Sequence, residues 1–315
     1  MNQINQDTHS TVDLYQSDGG VRSVTRDPAV QSVMARDKNI SPALQEFFAN
    51  SNDAHVRWGL ACNPSLSSEA VQQTLAQDQD AEVRAALAHN PSLISDARQE
   101  ALAQDQHEWV RAALALNRSL TSDTRQEKLA QDPNRRVRVA LALNRSLTSD
   151  AQQEKLAQDP NRRVRVALAG NRSLTSDARQ ERLAQDPNRP VRAALALNHS
   201  LTSDTAQQTL AQDQSALVRR YLARNPSLTS EAAQETLAQD QDTEVRASLA
   251  RAPSLTSTVQ QTLAQDQSAL VRRALARNPS LTSTVQQTLA QYQDVGVQLL
   301  LREELSRRPL ERAKF

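Results

Sequence analysis

The chain has 315 residues and a net charge of +1, from 37 Lys/Arg against 36 Asp/Glu, so no global excess of charge demands a polyanionic partner. Aromatic residues make up 3 % of it, too little bulk for one large compact core, because Phe, Tyr and Trp dominate core burial. The single cysteine, Cys62, excludes an internal disulfide framework and any multi-cysteine zinc or iron–sulfur site made by this chain alone.

Residues 1–20 lack the basic and apolar regions of a secretory signal and read as a disordered tail. No apolar run approaches the roughly 20 residues that span a bilayer, and a soluble, cytoplasmic protein is expected. Residues 21–55 read as a degenerate N-terminal capping repeat, in which Val30, Met34–Ala35 and Ile40 stand where later repeats have Val, Leu-Ala and a loop leucine. From 56 to 296 the pattern is regular. "LAQD" begins at Leu75 and recurs every 27 residues to Leu237, then after 26 at Leu263 and, as "LAQY", at Leu289. Cutting before each Val-Arg pair gives nine tandem repeats, from Val56 to Val271. Residues 297–315 begin another repeat and depart from it, as a C-terminal capping helix. Divergent ends suit an array whose terminal repeats have one face without a neighbour.

One repeat reads as two short helices. In "QDPNRRVRVALALNRSLTSD" (131–150) Asp132 is placed as an N-cap with Pro133 at the first helical position. Val137, Ala140 and Leu141 follow as a narrow apolar stripe. Asn144 suits the left-handed backbone that ends many helices. Thr148 or Ser149 then caps the second helix, with Asp150 favourably placed in its first turn, and Leu147 and Leu156 anchor it. Helices this short are marginal alone, so stacking must supply the stability. The expected fold is therefore all-α, a solenoid of about ten 26–27-residue two-helix repeats; its handedness does not follow from the pattern.

The run "DQDAEVRAALAHNPSLISDARQEALAQD" (78–105) resembles the leucine-rich repeat variant family, HEAT-like bacterial repeats with Val-Arg and Asn-Pro at this spacing. The resemblance covers roughly residues 30–300. It implies a curved helical solenoid in which the first element of some repeats is a 3₁₀-like turn. Some members hold an iron–sulfur centre in an N-terminal cysteine cluster; Cys62 stands alone here, so no cofactor is carried over.

The Val-Arg arginines (Arg57, Arg84, Arg111 and their successors) and the LAQD aspartates recur in nearly every repeat, which predicts a structural Asp–Arg ladder rather than a site. The recurrent asparagines read as loop caps. Positions that vary are more informative. After the asparagine the central repeats carry Arg118, Arg145 and Arg172, and before the valine Arg135–Arg136, Arg162–Arg163 and Arg189. Residues 110–190 hold 16 Lys/Arg and 9 Asp/Glu, net +7, between acidic stretches at 56–109 (net −5) and 191–244 (net −3). Leu116 and Leu143, beside Arg118 and Arg145, form a mixture suited to protein recognition. Sequence-independent nucleic-acid binding is the alternative for this basic block. Against it, the block has no Phe, Trp or Tyr for base stacking, and its arginines fall at opposite helix ends. The histidines show no metal-ligand spacing. No phosphate loop, nucleophile elbow or carboxylate pair stands out, and Trp58, Trp109, Tyr221 and Tyr292 are too scattered to suggest a catalytic cleft. The expectation is a non-enzymatic scaffold without cofactor or metal, binding a protein partner through Arg118, Arg135, Arg136, Arg145, Arg162, Arg163, Arg172, Arg189, Leu116 and Leu143.

Overall fold

The structure is a computed structural model that describes residues 11–15, 21–292 and 294–302. It is an all-α solenoid of repeated helix pairs, with one small hairpin at its start. The chain divides into two compact units, residues 1–152 and 153–315.

The N-terminal unit opens with strands β1 (Thr11–Tyr15) and β2 (Val21–Thr25), antiparallel in the register Thr11↔Thr25 to Tyr15↔Val21. This corrects the disordered tail expected over 1–20, because 11–15 is a paired strand. Val12 and Leu14 alternate in the first segment, and Val21, Val24 and Thr25 make the second rich in β-branched residues, as strands are. Residues 1–10 and 16–20 lie outside the described residues, as do 303–315 of the expected C-terminal cap. Helices α1 (Pro28–Ala35), α2 (Pro42–Ala49), α3 (Ala54–Ala61), α4 (Glu69–Ala76) and α5 (Ala81–His89) follow. Then come α6 (Asp96–Ala103), α7 (Glu108–Leu116), α8 (Asp123–Ala130) and α9 (Arg135–Leu143). Odd-numbered helices pack on odd (α1 on α3, α3 on α5, α5 on α7, α7 on α9) and even on even.

The division falls inside α10 (Asp150–Ala157). The C-terminal unit continues with α11 (Arg162–Ala169), α12 (Asp177–Ala184), α13 (Arg189–Ala196), α14 (Asp204–Ala211) and α15 (Ala216–Ala223). It runs on through α16 (Glu231–Ala238), α17 (Thr243–Leu249), α18 (Ser257–Ala264), α19 (Ala269–Ala276) and α20 (Ser283–Ala290), packed in the same alternating way. Residues 295–302 are helical too. Both elements of every repeat are α-helices, so the 3₁₀-like first element implied by the family resemblance is absent among the described residues. Each first helix has a side-chain or backbone cap and a full apolar stripe, which support an α-helical turn count.

Each repeat buries the same few side chains. In the third, Val110, Leu114 and Ala115 of α7, Leu120 of the loop and Leu129 of α8 are all buried; a fully buried Val or Leu contributes about 1.5–3 kcal/mol. Three polar ladders join neighbouring repeats. Asn117 Nδ2 donates to the carbonyls of Ala88 (2.8 Å) and Asn90 (2.9 Å) in the preceding repeat. Its Oδ1 accepts from the Ser119 N–H. Asn117 itself is extended (φ −67°, ψ 125°), not left-handed as the sequence suggested, because the carbonyls at the end of α7, Ala115 and Asn117, are satisfied by Asn144 Nδ2 of the next repeat. Gln99 Nε2 ties the loop of its own repeat, at Leu93 O, to that of the next, at Ser119 O.

The third ladder is the expected one. Arg84 grips Asp105, near the end of its own repeat, with Nε (2.6 Å) and Nη2 (3.0 Å), while Nη1 donates to the carbonyl of Asp78 in the preceding repeat. Arg57–Asp78 and Arg111–Asp132 repeat this in the N-terminal unit. Arg165–Asp186, Arg192–Asp213, Arg219–Asp240 and Arg246–Asp266 do so in the C-terminal unit. These contacts displace the predicted cap: Asp132 serves as a rung, and α9 starts two residues later, with Asn134 accepting from the Arg136 N–H.

Candidate functional site

With cores and ladders assigned, function falls to what the odd-numbered helices leave exposed. On α7 that is Trp109, one residue before the core valine, then Ala112 and Ala113, then Leu116 at the end. On α9 the corresponding stripe is Arg136, Val139 and Leu143. These are i, i+3 or i+4, i+7 spacings, so they share one helix face. Leu116 is 38 % and Leu143 51 % exposed.

The arginines singled out from sequence are all exposed, and they occupy both ends of these helices. In the N-terminal unit Arg135 and Arg136 begin α9, whereas Arg118 and Arg145 lie in loops beyond the far ends of α7 and α9. Arg135 and Leu143 are about 12 Å apart along the helix axis at 1.5 Å per residue. Arg118 and Arg145 therefore neighbour Leu116 and Leu143, and Arg135 and Arg136 do not. Arg136 is moreover engaged, 3.6 Å from Glu108 and with its guanidinium 5.1 Å from the Trp109 ring centroid. In the C-terminal unit Arg162 and Arg163 begin α11, Arg172 lies in the loop after it, and Arg189 begins α13.

The residues that the structure does bring together are Trp58 and Trp109, which sequence reasoning dismissed as scattered. Trp58 stands on α3, two residues after its core valine; Trp109 stands on α7. Together with the helix between them, α5, they line a cleft of about 530 Å³. Its floor is Ala85 and Ala86 of α5, and Ala81, Glu82 and His107 line its end. Trp58 is 37 % and Trp109 58 % exposed. Each indole is backed by a cation: the Arg36 guanidinium lies 4.4 Å from the Trp58 ring and Arg136 occupies the same place at Trp109. The His107 imidazole caps α7, its Nδ1 accepting from the Trp109 N–H. The signal was present in the sequence. Positions one before and two after the valine lie on one helix face, so tryptophans there in alternate repeats must flank the repeat between.

Electrostatics separate this cleft from the ladder beneath it. Burial pushes the Asp105 carboxyl up, but the hydrogen bonds from Arg84 and the His107 N–H outweigh it and hold the group below the ordinary carboxylate range. The Asp105 hydrogen bond in turn raises Arg84 above the usual arginine value. Those charges are spent on each other. Among the described residues no three His, Cys, Asp or Glu side chains group so as to hold a metal ion, and no helix is long and apolar enough to cross a membrane.

No protein-family model matches the chain, and no curated protein does. Solved structures do. The chain is similar in structure to a leucine-rich repeat variant. That structure, described as a novel repetitive structural motif, aligns over 73 % of this chain and 88 % of its own at 21 % identity, with a TM-score of 0.48. Computationally designed armadillo repeat proteins for modular peptide recognition align over 88 % of this chain and 98 % of theirs at 16 % identity, TM-score 0.14. An engineered protein aligns over 90 % and 98 % at 13 % identity, TM-score 0.13.

Proposed function

We propose that this protein is a non-enzymatic repeat scaffold that binds a protein partner through the exposed face of α3, α5, α7 and α9. The observation that carries this reading is the placement of both tryptophans of the chain as walls of one exposed cleft, with Leu116 and Leu143 continuing the apolar surface on the same side. Aromatic anchors beside a small-residue floor are the composition of interaction hot spots, which cluster where a partner side chain can be desolvated. Arg118 and Arg145, adjoining Leu116 and Leu143, supply a polar rim.

The test is capture from a lysate of the source cell, followed by a nuclease wash, comparing the wild-type chain with Trp109→Ala and with Leu116→Ala/Leu143→Ala. The expected result is a stoichiometric protein partner retained by the wild type and lost from both variants. A bound fraction that nuclease releases, with a salt dependence of about a thousandfold in affinity between 50 and 200 mM as six phosphate contacts require, would overturn it in favour of nucleic-acid binding through residues 110–190.

A further inference from the structure

The cleft between the tryptophans selects a particular kind of partner side chain. Its floor is apolar and its walls are indoles, and the one carboxylate lining it is Glu82. That carboxylate makes no ion pair among the described residues, although its neighbours do. Asp78 is held by Arg57, Asp105 by Arg84 and Glu108 by Arg136. Asp80 is used as the cap of α5, accepting from the Glu82 N–H. Glu82 is thus an uncommitted negative charge facing an aromatic slot, within repeats whose net charge over residues 56–109 is −5.

The cations nearby do not fill the slot. Arg36 follows α1 and Arg136 begins α9, so each approaches its indole from the helix on the side away from α5. Across α1, α3, α5, α7 and α9 the face therefore reads cation, indole, alanine floor with carboxylate, indole, cation. One position in this alternating series is empty of a large side chain, and it is the one bearing the unpaired carboxylate.

We propose that this cleft receives an arginine side chain from the partner's chain, its guanidinium on Glu82 and its methylene stem on Ala85 and Ala86 between the indoles. The proposal rests on the protein-binding reading above and names what that partner presents. A guanidinium is flat and weakly hydrated, stacks on indole faces and meets a carboxylate with two parallel hydrogen bonds. Lysine offers only a compact, strongly hydrated charge. An aromatic or aliphatic guest would desolvate Glu82 without giving it a partner, at a cost, and an acidic guest would meet like charge. A volume of about 530 Å³ exceeds one side chain, so flanking peptide backbone enters as well.

The two tryptophans being the only ones in the chain, their indole Nε1–H resonances report on this cleft alone. The ¹⁵N-labelled protein is titrated with a blocked Gly-Arg-Gly peptide and with the same peptide carrying citrulline, arginine's uncharged isostere. Both indole signals are expected to move together and saturate at one dissociation constant, on the order of millimolar for a single side-chain contact. Citrulline and the exposed-site variant Glu82→Gln each weaken binding at least tenfold, and Ala86→Leu, which fills the floor, abolishes it. Signals that stay still, or equal binding of citrulline or by Glu82→Gln, overturn the proposal. Failure here is separable from failure of the scaffold reading: a captured partner that is lost from Trp109→Ala yet retained by Glu82→Gln refutes the arginine and leaves the interface.

Discussion

Gly59 shows how much one side chain matters in an array whose helices pack through small residues. A Cβ built on it would lie 2.6 Å from the backbone carbonyl oxygen of Ser32 on α1, closer than real contacts allow. The same approach lets Ser32 Oγ donate to the His55 carbonyl at 3.0 Å and sets α3 at the depth that puts Trp58 under Arg36. Gly59→Ala is expected to push α3 off α1 and cost about 1–3 kcal/mol, the usual range for overpacking a tight contact, measured as a lower urea midpoint. Because Trp58 is the neighbouring residue, the same variant should shift its indole resonance and leave that of Trp109 in place. The ladder ends are likewise settled residue by residue. Where the ninth LAQD becomes LAQY, Tyr292 replaces the rung carboxylate and its ring lies 4.2 Å from the Arg272 guanidinium.

At the scale of elements, the starts of the odd-numbered helices are where sequence and structure part. Asp132 and Asn134 are both good N-cap residues, and local preference puts the cap at Asp132, before a proline suited to the first turn. What decides the matter is 21 residues away: Arg111 claims the Asp132 carboxylate, so the helix begins after Asn134. The two positions therefore carry different energies. Asn134→Ala should cost about 1 kcal/mol, the loss of a cap. Asp132→Ala should cost more, about 1.5–3 kcal/mol, since it takes the charged acceptor from the half-buried Arg111 guanidinium. Urea unfolding of the two variants distinguishes them, and equal losses would return Asp132 to the cap. The helix pairs, the Val–Leu core and the Arg–Asp ladder were legible because they recur at fixed spacing, which turns one local guess into nine. The cleft was not legible in that way: Trp58 and Trp109 occupy different positions in different repeats, so periodicity hides them and only the stacking of α3, α5 and α7 brings them to one place. On the even-numbered helices the first-turn carboxylates also reach the neighbouring even helix: Asp96 pairs with Arg125 and Glu69 with Arg98.

For the molecule as a whole, the ladder makes stability a function of pH in a definite direction. Asp105 and Asp186 are each held below the ordinary carboxylate range: burial pushes them up, but the arginine hydrogen bond and a backbone N–H more than offset it. An unfolded aspartate titrates near 4. A group whose folded pKa lies below that value stabilises the fold fully above about pH 4, and loses the contribution as pH falls through the folded pKa. Protonation of Asp105 or Asp186 removes the acceptor while Arg84 or Arg165 stays charged, so a half-buried guanidinium loses its counterion. Since repeats are stabilised chiefly by nearest neighbours, losing the Asp105 and Asp186 rungs should unfold the helices on either side of each. Helical circular dichroism is therefore expected to be flat from pH 7 to about 4 and to fall sharply below it. Asp105→Asn should be less stable at neutral pH and show a shallower acid limb, because that rung has no proton left to gain. An acid limb identical in slope for the wild type, Asp105→Asn and Asp186→Asn would move the acid-sensitive groups off the ladder and onto the exposed carboxylates.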